Sequence, residues 1–231
     1  MNRQNTILLA LSLASATLAG TAHAQAHRYT VTAGPAHAAF NVSSSDLSGP
    51  PGTTPPGARM SVDDLSTLGV EATVHLTDRW SASLAFGAPP KAHFRGEGVA
   101  APLGRIGSAR AWFPAVLASY RFNALGPVQP YVGAGINYTF YTGVQVGDNY
   151  TAAFGGTSST GKVKASFGPV VKLGALLPLS DGWVINAGWA RYGIRSKATV
   201  TTQTPGFGPI ARQATVKVDP DVFSLLIGRS F

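Results

Sequence analysis

Apolar and polar side chains alternate along much of the chain with a period of two. This is the period of a β-strand that has one apolar face. Between Leu68 and Leu76, every even-numbered residue is apolar and every odd-numbered residue is small or polar. The same alternation returns from Trp80 to Gly87, only three residues further on. Residues 77–79 therefore predict a tight turn, and the two strands predict an antiparallel hairpin.

Eight strands of this kind are predicted over the whole chain. They run from Tyr29 to Ala39, Leu68 to Leu76, Trp80 to Gly87, Ala111 to Phe122, Val132 to Phe140, Phe167 to Leu177, Trp183 to Tyr192 and Val216 to Phe231. Short turns at 77–79, 123–129 and 178–182 alternate with long segments rich in Gly, Pro, Ser and Thr. The long segments are predicted as loops over residues 41–60, 95–107, 147–161 and 201–211.

Strict alternation of short turns with long loops is typical of an all-β, eight-stranded antiparallel up-and-down transmembrane barrel. A sheet can cross hydrocarbon only when it closes on itself, because lipid offers no partner for a free strand edge. Aromatic residues near the short-turn ends would form an interfacial girdle: Tyr29, Trp80, Tyr120, Phe122 and Trp183. The alternative is a soluble β-sandwich, whose outward face should carry more charge than the 12% found here.

The N-terminus predicts export. Arg3 precedes an apolar run from Ile7 to Ala19, which ends at Ala22-His23-Ala24. This run is about 13 residues long, shorter than the roughly 20 that a spanning helix needs, and small residues follow it where a signal peptidase cuts. We expect a signal peptide at 1–24, a barrel domain at 25–231, and a location in the bacterial outer membrane after passage through the periplasm.

Composition narrows the function classes. The chain has no cysteine, which excludes disulfides, thiol catalysis and thiolate metal sites. Its net charge of +8 comes from Lys and Arg that are scattered singly, so we expect outer-membrane lipids as partners and no nucleic acid.

The segment Pro130-Tyr131-Val132-Gly133-Ala134-Gly135-Ile136-Asn137-Tyr138-Thr139 closely resembles the signature strand of the OmpW family of outer-membrane proteins. The order of Leu68-Gly69, Thr77-Asp78, Trp183-Val184-Ile185-Asn186, Val218-Asp219-Pro220 and a terminal Phe231 is also similar to that family. The resemblance implies a narrow apolar barrel that passes small hydrophobic molecules to the membrane through a lateral opening.

The resemblance also implies that barrel-assembly machinery receives the C-terminal strand ending at Phe231. The chain departs from the family at Arg229, where an aromatic residue is usual. An arginine at the interface can extend its charged head to the lipid headgroups.

If the apolar face of each strand contacts lipid, the charged residues near the short-turn ends point into the barrel. We predict that they form a periplasmic plug: Arg28, Glu71, Arg121 and Lys172. The positions above it are small or apolar and are predicted to line the channel: Ala85, Gly87, Phe113, Ala115, Leu117, Val170, Gly188, Ala190 and Leu226. A tightly packed core with no path, and a conducting ion path through the charged cluster, remain as alternatives.

Prolines mark where the wall cannot pair fully, because proline lacks the N–H that a ladder needs. Pro89 and Pro90 end the third predicted strand. In the family, a proline at the place of Pro89 is associated with a side opening. The alternative is simple termination of the strand.

These features favour passive uptake of small apolar molecules, without cofactor or metal. The second hypothesis is a closed structural or adhesive barrel that presents surface loops. The third is a lipid-modifying barrel enzyme, which needs a serine and an acid near His93. Glu71 and His75 lie about 13 Å apart along one strand, too far for a direct hydrogen bond, and we expect no catalysis from them.

Overall fold

The computed structural model describes residues 28–231; the signal peptide predicted at 1–24 and its cleavage site lie outside the described residues. The strands are β1 (Tyr29–Ser44), β2 (Ala58–Val62), β3 (Leu65–His75), β4 (Trp80–Gly87), β5 (Lys91–Gly98), β6 (Arg105–Trp112), β7 (Ala115–Arg121), β8 (Gln129–Val146), β9 (Ser158–Val163), β10 (Ser166–Pro178), β11 (Trp183–Tyr192), β12 (Ile194–Thr204) and β13 (Gly208–Ser230). One short helix, α1 (Asp148–Ala153), and two 3₁₀ turns, Ala101–Leu103 and Ser180–Gly182, lie between strands.

Eight strands close into a ring, as the sequence predicts. Each pairs antiparallel with its neighbours in the order β1, β3, β4, β7, β8, β10, β11, β13 and back to β1. At the bottom of the closing seam, Tyr29 and Phe231 exchange two backbone hydrogen bonds of 2.9 Å. The ring therefore has no free edge, which is the condition for a sheet to lie in hydrocarbon.

The two faces of this ring differ as the alternation requires. Outward side chains are exposed, with Leu68 at 62% and Ile136 at 60%, whereas inward Val170 is 1% exposed. Near the short turns, Trp80 packs edge-on against Tyr120, which packs edge-on against Phe122, at centroid distances of 5.2 Å. Among the described residues, no helix is long and apolar enough to cross a membrane.

The predicted long loops are much shorter than the sequence suggested. Strands β1, β8 and β13 continue beyond the ring, and the remaining loop residues form much of a second tier of sheet, which we call the collar. The collar consists of β2, β5, β6, β9, β12 and the upper ends of β1, β8 and β13. Abundant Gly, Pro, Ser and Thr hid the alternation in these segments.

Short breaks separate the collar from the ring. The predicted strand over residues 111–122 is interrupted at Phe113 and Pro114, and residues 88–90 separate β4 from β5. Gly193 separates β11 from β12; its N–H donates to the Pro169 carbonyl at 2.8 Å. Breaks therefore occur on several strands of the ring, while β1, β8 and β13 continue into the collar uninterrupted.

Candidate functional site

A single layer of polar side chains divides the interior of the barrel. Glu71 on β3 and Lys172 on β10 are each 6% exposed, and the Lys172 ammonium donates to Glu71 Oε2. Asn186 Nδ2 donates to the same oxygen at 3.4 Å, and the Tyr131 hydroxyl donates to Asn186 Oδ1 at 2.8 Å. The Lys172 Nζ also lies 5.1 Å from the centre of the Tyr131 ring. Each charge in this layer is thus paired and hydrogen-bonded, as burial demands.

Below this layer lies a vestibule of about 700 Å³ with a mixed polar lining. Arg121 donates to Gln129 Oε1 at 3.0 Å and lies 3.3 Å from His75 Nδ1, while His75 Nε2 is 2.9 Å from Thr30 Oγ1. Arg28 is exposed at the mouth of the vestibule. The vestibule is therefore polar and open at the end of the barrel where the short turns lie.

The four residues predicted as a plug are consequently not one cluster. Only Glu71 and Lys172 meet. Arg121 at the end of β7 lines the vestibule below them, and Arg28 precedes β1 at the rim. These residues lie at different heights along the barrel axis. The alternation of side chains predicts which residues point inward, but it does not predict their height.

A middle chamber of about 70 Å³ lies directly above the polar layer. Glu71 and Lys172 contribute to its lining, together with several small or apolar inward residues. Phe113 stands over it and packs edge-on against Tyr192 at a centroid distance of 6.0 Å. An alanine Cβ at Gly69 would meet Ala36 Cβ at 3.6 Å, so it would fit in ordinary van der Waals contact at the edge of the chamber.

Six of the nine predicted lining residues surround the middle chamber: Ala85, Gly87, Phe113, Leu117, Ala190 and Leu226. Ala115 and Val170 are packed in the buried core beside it, each 1% exposed. Gly188 faces the polar layer instead, because a Cβ there would lie 3.0 Å from the Tyr131 hydroxyl.

An upper chamber of about 90 Å³ occupies the collar, and almost all of its lining is apolar. It shares Ala38, Phe113 and Val222 with the middle chamber. Most of its other residues are absent from the predicted channel lining. They lie in predicted loops, between predicted elements or in the last predicted strand: Met60, Val62, Ile106, Ile194, Val200 and Val216 among others. The alternation of Ala214, Val216 and Val218 with polar residues is the signal that could have identified them.

The barrel wall is incompletely paired beside the middle chamber. Pairing of β3 with β4 ends where the Ala88 N–H donates to the Leu68 carbonyl at 3.0 Å. Pairing resumes where the Asp63 N–H donates to the His93 carbonyl at 3.2 Å. Pro89 and Pro90 lie in the interval, half-buried. The chamber lining includes Val70 and Phe86, and Phe86 is 45% exposed on the outer surface. Neither proline lines the chamber itself.

The enzyme hypothesis depends on a serine beside His93. His93 pairs with Ser108 across the β5–β6 ladder, but the Ser108 hydroxyl donates to Gln145 Oε1 at 3.4 Å. Within residues 28–231, His93 Nδ1 has no hydrogen-bond partner. In this stretch of the described chain, His93 and Ser108 therefore do not form the hydrogen bond by which a histidine activates a serine nucleophile.

The closed ring, its apolar upper interior and the sequence pattern agree with one known group of proteins. The profile of the OmpW family matches residues 25–231. The chain belongs to the OmpW family. This OmpW-family barrel is thus an outer-membrane protein of Gram-negative bacteria, as its relatives are.

Individual relatives cover most of the barrel. PahQ of Pseudomonas aeruginosa, a dibenzothiophene metabolism operon protein, is 28% identical over 179 residues, which are 76% of each chain. Outer membrane protein AlkL of Ectopseudomonas oleovorans is 25% identical over 74% of this chain and 68% of its own. The crystal structure of OprG from Pseudomonas aeruginosa matches with a TM-score of 0.78 at 26% identity, over 90% of this chain and 97% of OprG.

Proposed function

We propose that this OmpW-family barrel admits small apolar molecules at the collar and releases them sideways into the outer membrane above the polar layer. The observation that carries the proposal is the order of the interior along the barrel axis. Two apolar chambers lie above a buried, fully paired Glu71–Lys172 layer. An apolar molecule that has entered from the collar meets charge below it and the incompletely paired wall beside it.

The chemistry of the chambers supports apolar cargo. A polar solute loses its hydration there without replacement, at a cost of roughly 2 to 7 kcal/mol for each buried amide or hydroxyl group. A hydrocarbon has no such hydrogen bonds to lose. The relative PahQ is a dibenzothiophene metabolism operon protein, and dibenzothiophene is itself an apolar aromatic compound.

The wall beside the middle chamber is the proposed exit. Pro89 and Pro90 supply no N–H, and the neighbouring break at Pro114 removes another. The barrel-assembly machinery is a second proposed partner, which would receive the strand ending at Phe231.

The test is uptake into vesicles whose outer leaflet carries lipopolysaccharide, which slows unassisted entry of apolar solutes. Dibenzothiophene should enter faster with the protein than without it, and a polar solute of similar size should not. Gly69→Leu would place a larger side chain at the lining of the middle chamber and should slow uptake of dibenzothiophene. Ala72→Leu, three residues along β3, is the matched control because position 72 has the opposite parity and faces the lipid.

Uptake by the unaltered protein no faster than in empty vesicles would contradict the proposal. Equal uptake by well-folded Gly69→Leu and Ala72→Leu variants would also contradict it. Either result would favour the closed barrel that presents a collar at the cell surface.

A further inference from the structure

The upper chamber continues into a third cavity, of about 50 Å³, which we call the arginine chamber. The two cavities share five residues: Met60, Ile106, Tyr150, Ala198 and Val200. A cavity needs about 10 to 15 Å³ to hold one water molecule, so the arginine chamber has room for a group of a few heavy atoms. It is thus a small cavity that adjoins the upper chamber.

The arginine chamber contains a buried cation. Arg212, on the inner face of β13, is 3% exposed, and its Nε donates to the Thr53 carbonyl at 3.0 Å. Its guanidinium carbon lies 4.2 Å from the centre of the Phe154 ring. In the described part of the chain, no carboxylate lies within ion-pair distance of Arg212. A backbone carbonyl and a ring face thus take the place of a counter-ion.

Two buried donors in this chamber lack an acceptor. Within residues 28–231, neither Arg212 Nη1 nor the Tyr150 hydroxyl has a hydrogen-bond partner. Tyr150 is 4% exposed, and burial raises the pKa of its hydroxyl to about 12, so it remains a neutral donor at ordinary pH. A buried donor without an acceptor, and above all a charged one, is costly unless something else supplies the acceptor.

We infer that the arginine chamber binds the carboxylate of an apolar carboxylic acid, whose tail extends into the upper chamber. A carboxylate offers two oxygens to the planar guanidinium and supplies the missing acceptors. The apolar residues shared by the two cavities give the tail a continuous surface. The inference rests on the proposed function, because it makes a class of amphipathic acids a preferred cargo of the same passage.

The experiment compares an acid with its neutral isostere. Binding of 4-phenylbutyrate and 4-phenylbutyramide is measured by saturation-transfer NMR at pH 8, on the full barrel in lipid nanodiscs, with empty nanodiscs subtracted. The unaltered protein should bind the acid about tenfold more tightly, the size expected for a charge-assisted hydrogen bond. Arg212→Met should reduce binding of the acid to the level of the amide and leave binding of the amide unchanged.

Three further variants sharpen the result. Arg212→Lys keeps the charge but loses the planar fork, and should retain only part of the preference for the acid. Tyr150→Phe should weaken binding of the acid by a smaller factor, and it provides a readout even if Arg212 variants fold poorly. Arg195→Met removes an equal charge from the exposed face of β12 and should preserve the preference.

Equal affinity of the unaltered protein for acid and amide would overturn this inference while leaving the apolar passage intact. A preference that persists in well-folded Arg212→Met would also overturn it. Failure of the unaltered protein to bind either compound would overturn both the inference and the proposed passage.

Discussion

Glu71 and Lys172 meet in the middle of the barrel from opposite walls. Strands β3 and β10 stand four places apart in a ring of eight, so each is the farthest strand from the other. The ion pair therefore spans the full lumen and does not join neighbouring strands. Its position gives the apolar chambers a floor.

We expect Lys172→Met to lower the free energy of unfolding by about 3 to 5 kcal/mol, because it leaves the Glu71 carboxylate buried without its cation. The double variant Lys172→Met with Glu71→Gln should lose less, because no charge remains in the layer. Urea unfolding in lipid vesicles, followed by tryptophan fluorescence, measures both values. Lys217→Met is the control: its pair with Asp219 has a half-exposed lysine and contributes about 0 to 1 kcal/mol. A double variant no more stable than the single one would contradict the argument.

Replacing Ile136 by Arg should destabilise the barrel by about 2 to 4 kcal/mol, the range for a cation at the bilayer midplane. Ile136 is 60% exposed on the outer surface of β8. The same unfolding experiment applies, with Phe207→Arg as the control in a turn of the collar where the side chain is 81% exposed. Equal stability of the two variants would show that the outward face of β8 does not meet hydrocarbon.

Replacing Pro89 and Pro90 together by Ala should slow apolar uptake while preserving folding, because two new N–H groups would let the wall pair further. Uptake of dibenzothiophene into the lipopolysaccharide-bearing vesicles measures the effect. The matched control is Pro55→Ala with Pro56→Ala, which alters a pair of prolines in the turn before β2. Unchanged uptake in a folded Pro89/Pro90 variant would remove the lateral route.

We expect the arginine chamber to lose stability at alkaline pH because of Tyr150. Its pKa is raised to about 12 by burial, although the Arg212 guanidinium opposes the shift. The pKa of Tyr150 in the folded protein lies above the ordinary value of 10 for an unfolded chain. The stability that the neutral hydroxyl gives the folded state is therefore complete below pH 10, and it is lost as pH rises through about 12. The tyrosinate absorbance of the native protein minus that of Tyr150→Phe should give this titration. A difference curve centred near pH 10 would show that the hydroxyl is not buried.

The sequence predicted the membrane-embedded ring well because alternation there is strong and local. Leu84 and Ile136 point outward for the same reason that Leu117 and Val170 point inward. The collar was missed because its strands contain many Gly, Ser and Thr residues, which are equally common in loops. The arginine chamber was not predictable: Arg212 meets Thr53 and Phe154 only after distant segments fold together.

The breaks between collar and ring have a consequence for how stability is distributed in the molecule. Most strands of the ring are interrupted before the collar, and only β1, β8 and β13 continue into it unbroken. Local unfolding spreads along continuous hydrogen-bonded units and stops where they end. Amide protons in β2, β5 and β9 should accordingly exchange with deuterium well before those of β3, β7 and β11. Under mild denaturant the collar of the OmpW-family barrel would unfold as one cooperative unit, while the part embedded in lipid stayed folded.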